Sequence, residues 1–244
     1  TRYILNGVQL DVSERSGHYL VGTDGRRLFS ANSFSLPLNE SITIPKHKLL
    51  AWRGLADLPW ALGTSKTDDR THVRIVAGNW KLTMKALDGS YPNWRQVIPR
   101  AAQQRTTVTL PNDHEFGKII QGIPTGGPKD KSVDLVIQGG TVSVKDATGG
   151  SAIVLAGAAA KGPDLKIRVN KDYLVKALDC GPICIGLIDA MSPLHFTREG
   201  RQMVVMPIRL ADVAPVNEPE TPAEEPPTAH HEPQPERNTM TATN

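Results

Sequence analysis

The chain has 244 residues, 39% of them hydrophobic and 22% charged, with a net charge of +3. That is enough for one large domain or two ordinary ones around a real core. No stretch approaches the roughly 18–20 uninterrupted apolar residues of a membrane span, and no basic segment leads into an apolar run as in a signal peptide, so a cytoplasmic protein with no membrane contact is the expectation. The charge is uneven. Seven acids against Arg237 give residues 211–244 a charge of −6, which leaves +9 on the remaining 210 residues. A basic body with an acidic tail is compatible with nucleic-acid contact.

Most of the body alternates with period two, which predicts many half-buried strands. GTDGRRL (22–28) reads first as a turn between two of them, since Asp-Gly favours the left-handed backbone a tight turn requires. IPKHKLLAWRGLADL (44–58) predicts a helix, with Pro45 in its first turn and Leu49, Leu50, Trp52 and Leu55 as an imperfect apolar stripe. NWKLTMKAL (79–87) predicts a strand with Trp80, Leu82, Met84 and Ala86 on one face. DGSYPNWRQVIP (88–99) is an irregular connector carrying Tyr91, Pro92, Trp94, Val97 and Pro99; such residues pack domains or line a peptide groove.

PRAAQQRTT (99–107) has no apolar pattern and marks a domain boundary, and a faint internal repeat of helix and strands lies on either side of it. Beyond it, PNDHEFGKIIQGI (111–123) predicts a helix capped by Asn112 or Asp113, with Phe116, Ile119, Ile120 and Ile123 inward. VDLVIQGGTVSVKD (133–146) predicts a hairpin turning at Gly139-Gly140, and LKIRVN (165–170) another strand. NKDYLVKALDCG (170–181) predicts a helix capped by Asn170, facing Tyr173, Leu174, Ala177 and Leu178 inward and stopping at Gly181. MVVMPIRL (203–210) reads as a buried final strand, and the proline- and glutamate-rich residues 211–244 as a disordered tail.

Catalytic patterns are absent from this reading. Cys180 and Cys184 stand as C-x3-C without a second ligand pair, which suggests buried thiols rather than zinc or a disulfide framework. None of the seven histidines forms a ligand pair at helical spacing, and Ser30 and Ser192 lack a nucleophile-elbow context. TGGPKDK (125–131) and ATGGS (147–151) lack the strand-loop-helix setting of a phosphate cradle. The expectation is a non-enzyme with no cofactor and no metal.

In order along the body, RYILNG (2–7), LVGTDGRRL (20–28), ITIPKHKLL (42–50), KALDGSYPNWRQVIP (85–99), VNKDYLVKAL (169–178), DAMSPLHF (189–196) and VVMPIRL (204–210) resemble the bacterial sliding clamp, the β subunit of DNA polymerase III. The resemblance implies an α+β DNA-clamp fold of repeated domains, with antiparallel sheets outside and short helices lining a central channel. Residues 1–98 would be most of the second clamp domain and 99–210 the third, with the first domain and the opening strand and helix of the second outside this chain. The implied function is a processivity factor of the cytoplasm and nucleoid. It self-associates into a ring in its full-length form, encircles duplex DNA without regard to sequence, and tethers the polymerase III catalytic subunit, the clamp loader and repair polymerases through short linear peptides. The alternative is a truncated or mobile-element module that captures such peptides without encircling DNA.

Carried over by position, the resemblance implies a peptide dock made of Leu5, Thr23, Gly25, Arg26, Arg27, Leu28, Pro92, Gln96, Val97, Val204, Val205, Met206, Pro207, Ile208 and Arg209. Arg26, Gln96 and Ile208 depart from residues common in the family at those positions. The DNA-facing positions implied are Tyr3, Lys46, His47 and Lys48.

Overall fold

The protein is described by a computed structural model, in which residues 3–14, 17–111, 116–126, 130–147, 150 and 152–209 are placed. The tail read from 211 onward lies outside these residues, as do Asn112 and Asp113. The first half runs β1 (Gly7–Glu14), β2 (Gly17–Thr23), β3 (Arg27–Ala31), β4 (Ile42–Pro45), α1 (Arg53–Ala56), β5 (Trp60–Thr67), β6 (Arg70–Ala77) and β7 (Trp80–Lys85). After the connector come β8 (Thr106–Thr109), α2 (Phe116–Gln121), β9 (Ser132–Gln138), β10 (Thr141–Asp146), β11 (Ala152–Val154), β12 (Ala159–Lys161) and β13 (Leu165–Asn170). The chain then continues through α3 (Lys171–Asp179), β14 (Cys184–Leu187), β15 (Leu194–Arg198) and β16 (Arg201–Val205).

Three sheets result. Nine strands form the largest, in the order β12-β8-β14-β15-β16-β3-β2-β1-β4, beside a four-stranded sheet β11-β10-β9-β13 and a three-stranded sheet β5-β6-β7. The nine-stranded sheet carries strands from both sides of residue 98, joined where β16 pairs antiparallel with β3 through Met203↔Phe29 and Val204↔Leu28. A side-chain chain reinforces this region: Gln202 Nε2 donates to Ser30 Oγ at 3.0 Å, and Gln202 Oε1 lies 2.8 Å from His195 Nε2. Burial lowers the affinity of His195 for a proton, so its ring is neutral, donating from Nε2 and accepting at Nδ1 from Gln104.

The strands β3-β2-β1-β4 repeat the order of β11-β10-β9-β13, and β5-β6-β7 that of β14-β15-β16. Each half is a sandwich. One core gathers Leu10, Ile42, Ile44, Val73, Ile75 and Met84; the other is larger and includes Val133, Leu135, Ile167, Leu174, Ile185 and Phe196. The predicted hairpin turns at Gly139 (φ 55°) and Gly140 (φ 80°), a two-residue turn whose twist suits the strands it joins. The β5–β6 turn uses Asp68 (φ 50°) and Asp69 (φ 58°), residues whose short polar side chains tolerate the left-handed region.

Helices are where structure and sequence part. α3 matches expectation: Asn170 Oδ1 accepts from the Tyr173 N–H at 3.3 Å, and Gly181 (φ 66°) follows the last turn. In α2, Phe116 and Ile120 face the core as predicted, but Ile119 is exposed, because one side of this short helix meets α3 and another meets water. The helix expected over 44–58 is not one helix. Pro45 closes β4 opposite Gly7, Lys48–Ala51 form a 3-10 turn, and Trp52 is extended before α1 begins. Of the expected stripe Leu49 and Trp52 are exposed, while Leu55 is 3% exposed. The final strand is also shorter than read, ending at Val205.

Asp11 is 2% exposed, yet its carboxylate is fully engaged. Oδ2 accepts from Trp94 Nε1 (2.8 Å) and Arg95 Nη1 (2.7 Å), and Oδ1 from the Ser13 N–H (2.9 Å) and Oγ (2.6 Å). Burial by itself would raise its pKa; the hydrogen bonds from Ser13, Trp94 and Arg95 outweigh that and hold it well below the usual carboxylate range. Asp11→Ala leaves a buried indole N–H and a guanidinium without their partner and is expected to cost about 3 kcal/mol, read as a lower urea midpoint. Because the folded pKa is depressed, the stabilisation is complete above the unfolded value near ~3.9 and fades as pH falls below it. The stability gap between wild type and Asp11→Asn should therefore narrow on acidification from pH 7 to pH 3.

Candidate functional site

The turn between β2 and β3 is held by its own polar groups. Asp24 Oδ1 accepts from the N–H groups of Arg26 and Arg27, both at 3.0 Å, Arg27 Nε donates to Asp24 Oδ2 at 3.0 Å, and Gly25 takes φ 83°. Desolvation would raise the pKa of Asp24, but these donors and the Arg27 charge bring it down, keeping the turn's anion ionised. The Arg27 guanidinium also stacks 4.6 Å from the centre of the Tyr173 ring, which ties the turn to α3. Arg26 is exposed and makes no side-chain ion pair or hydrogen bond among the described residues.

The connector packs against this turn. Trp94 is 4% exposed and forms a cluster with Val21, Leu28 and Val204; its ring meets Tyr19 at 5.2 Å and the Arg95 guanidinium at 4.3 Å. Arg95 Nε also reaches Glu14 Oε1 at 2.7 Å, and the Tyr91 hydroxyl donates to the Val21 carbonyl at 3.3 Å. Val204 and Leu28 sit opposite each other in the β16–β3 ladder, so both present side chains to the same face. Past the end of β16, the Met206 N–H still donates to the Arg26 carbonyl at 2.9 Å, which places Met206 beside the turn.

A cavity of about 150 Å³ opens between these pieces, lined by Leu5, Thr23, Gly25, Arg26, Arg27, Leu28, Pro92, Asn93, Trp94, Val97, Val204 and Met206. Ten of its lining residues belong to the fifteen expected for a peptide dock. The other five stand elsewhere. Val205 points to the opposite face and is fully buried in the larger core, as strand alternation demands next to Val204. Gln96 is exposed on the 3-10 turn Trp94–Val97 but does not line the cavity. Pro207, Ile208 and Arg209 are drawn away because the Ile208 N–H donates to the Arg168 carbonyl on β13 at 2.8 Å. The cavity adds Asn93 and Trp94. Trp94 has a sequence signal, an aromatic on a proline-rich connector; Asn93 has none beyond adjacency to Pro92.

The four DNA-facing candidates lie at one end of the first half. Tyr3 is 68% exposed, and Lys46, His47 and Lys48 are exposed around the end of β4. Two backbone bonds bring them together: the Asn6 N–H donates to the Tyr3 carbonyl (3.1 Å) and the Lys46 N–H to the Asn6 carbonyl (2.9 Å). His47 has a local structural task, its Nδ1 accepting from the Leu49 N–H at 3.3 Å. Among the described residues no cluster of three or more His, Cys, Asp or Glu side chains is arranged to hold a metal, and no helix is long and apolar enough to cross a membrane.

No protein-family profile matches the chain. Individual proteins do. The chain is 28% identical over 230 residues to the β sliding clamp of Caulobacter vibrioides strain NA1000, a match covering 86% of this chain and 59% of that protein. It is 31% identical over 107 residues to the Pseudomonas putida β sliding clamp, covering 42% of this chain. Among solved structures, a sliding clamp from Bartonella birtlesii bound to griselimycin superposes with a TM-score of 0.70 at 23% identity, covering 86% of this chain and 60% of that one. The Bacillus subtilis sliding clamp gives 0.69 at 23% identity. By sequence, then, the chain is similar to the bacterial β sliding clamps over 86% of its length, it shares their fold, and it spans 59% of the length of the Caulobacter protein.

Proposed function

We propose that this chain is the peptide-docking part of a DNA sliding clamp, a non-catalytic processivity factor, with one clamp domain over residues 1–98 and the next over 99–210. The observation that carries the reading is the mostly apolar cavity between the β2–β3 turn, the connector and the end of β16. Its walls offer Leu28, Trp94, Val97, Val204 and Met206 to large apolar side chains of an extended peptide, while Arg26 stands free at the rim to meet a polar or acidic group. Such a site suits short linear segments of the polymerase III catalytic subunit, the clamp loader and repair polymerases. Met206 is 41% exposed at the cavity, so it has surface left to bury against a ligand, and its flexible thioether can adapt to several.

The complementary part of the function is a hold on duplex DNA at the nucleoid. Tyr3, Lys46, His47 and Lys48 form an exposed, basic end suited to phosphate contacts that do not read sequence. Enclosure of DNA would come from a ring built by self-association of the full-length protein.

Two measurements bear on this reading. Met206→Ala should weaken a fluorescently labelled, polymerase-derived clamp-binding peptide by about tenfold or more, since burying this side chain is worth roughly 1.5–3 kcal/mol. An unchanged affinity in folded protein removes the cavity from the function. For DNA, the double change Lys46→Ala with Lys48→Ala should lower the slope of log affinity against log salt by about 2; retention of the full-length protein on circular but not linear duplex would separate enclosure from peptide capture alone.

A further inference from the structure

The cavity beside the β2–β3 turn leaves few polar groups over for a ligand. Every main-chain donor of the turn is spent within it: the Asp24 N–H donates to the Arg27 carbonyl at 3.3 Å, the Gly25 N–H to Thr23 Oγ1 at 3.1 Å, and the Arg26 and Arg27 N–H groups to Asp24 Oδ1, both at 3.0 Å. The Arg26 carbonyl is taken as well, by the Met206 N–H at 2.9 Å. A peptide laid against this wall finds no main-chain donor there, so the strand-like pairing by which many grooves grip a peptide is closed to it on this side.

Among the side chains that line the cavity, most of the polar ones are committed too. Thr23 Oγ1 donates to the Arg27 carbonyl at 2.8 Å, the Arg27 guanidinium is held by Asp24 and stacked on Tyr173, and Trp94 Nε1 donates to Asp11 Oδ2. Two remain: Arg26 on the turn and Asn93 on the connector, both exposed, neither with a side-chain hydrogen bond among the described residues. They are chemically unlike, since the guanidinium is a permanent cation that only donates and the amide is neutral and does both. No acid lines the cavity, and the charge of Asp24 beside it is answered by Arg27. The rim therefore carries one unanswered positive charge over an apolar floor.

We infer that the cavity selects its peptides by charge: Arg26 pairs with a carboxylate side chain next to the apolar residue that fills the cavity, while the Asn93 amide bonds the peptide main chain from the connector side. The inference rests on the cavity being the peptide dock proposed above and adds which peptides it takes. The planar fork of a guanidinium meets both oxygens of a carboxylate, and a basic residue at the same place would face a like charge. At an exposed rim such a pair sets preference more than affinity, and the apolar contacts supply the anchoring.

Fluorescence anisotropy with the whole chain compares the labelled polymerase-derived peptide carrying glutamate with the same peptide carrying glutamine, at each position outside its apolar anchors in turn. At a position flanking an anchor the glutamate form should bind about threefold tighter at about 50 mM salt, and the ratio should fall towards one at about 0.5 M, where the pair is screened. Arg26→Ala should bring the ratio to one at every salt concentration, and Arg26→Glu should invert it. Asn93→Asp, which places an acid on the connector wall with little change of shape, should lower the ratio to one or below. Glutamine and glutamate forms that bind the wild type equally at all positions overturn charge selection while leaving the dock standing, and a preference that survives Arg26→Ala overturns the role of Arg26. Failure of every form to bind removes the dock and this inference together.

Discussion

The β16–β3 ladder is the constraint on which the rest of the molecule depends. Ten residues pair across it, and they come from the last strand of the described residues and one near their beginning. Without that junction the two sandwiches would share no sheet, and the cavity would have no floor, because Leu28 and Val204 are a cross-strand pair in the same ladder. The Ser30–Gln202–His195–Gln104 series runs across it with each polar group satisfied, which keeps a histidine 8% exposed from being a liability.

A second, more localised restraint fixes the connector. The Asp11 carboxylate reaches across more than eighty residues of sequence to hold Trp94 and Arg95, and that grip anchors an irregular segment as one wall of the cavity. The same residue pair illustrates a division of labour. Trp94 gives its ring to the cavity and its N–H to the core, whereas Arg95 points away to Glu14 and covers the ring from the other side.

Much of the sheet structure was legible in the sequence, since alternation is a local property: the 133–146 hairpin with its two glycines and the strand 165–170 are where the pattern placed them. The 44–58 segment was not. Its apolar spacing resembles a helical stripe, but Pro45 is committed to pairing with Gly7 and the extended Trp52 divides what remains into two single turns. Asp11 gave no signal, because its partners are distant in sequence and a lone acid in a strand is ordinarily a solvated one. Ten of the positions implied by family resemblance line one cavity, but resemblance could not tell that Val205 faces the larger core or that Ile208 is tied to β13.

The placement of the four tryptophans has an optical consequence. Trp94 is sealed in the cavity wall beside a carboxylate and a guanidinium, while Trp52, Trp60 and Trp80 are half-exposed in the first half, the first and last in edge-to-face contact at 5.2 Å. Their emission therefore divides into a blue, quencher-resistant component from one indole and a red, quenchable component from three. Selective collisional quenching separates the two without any label, so a single cuvette reports on the cavity wall and on the exposed surface of the first half as independent signals.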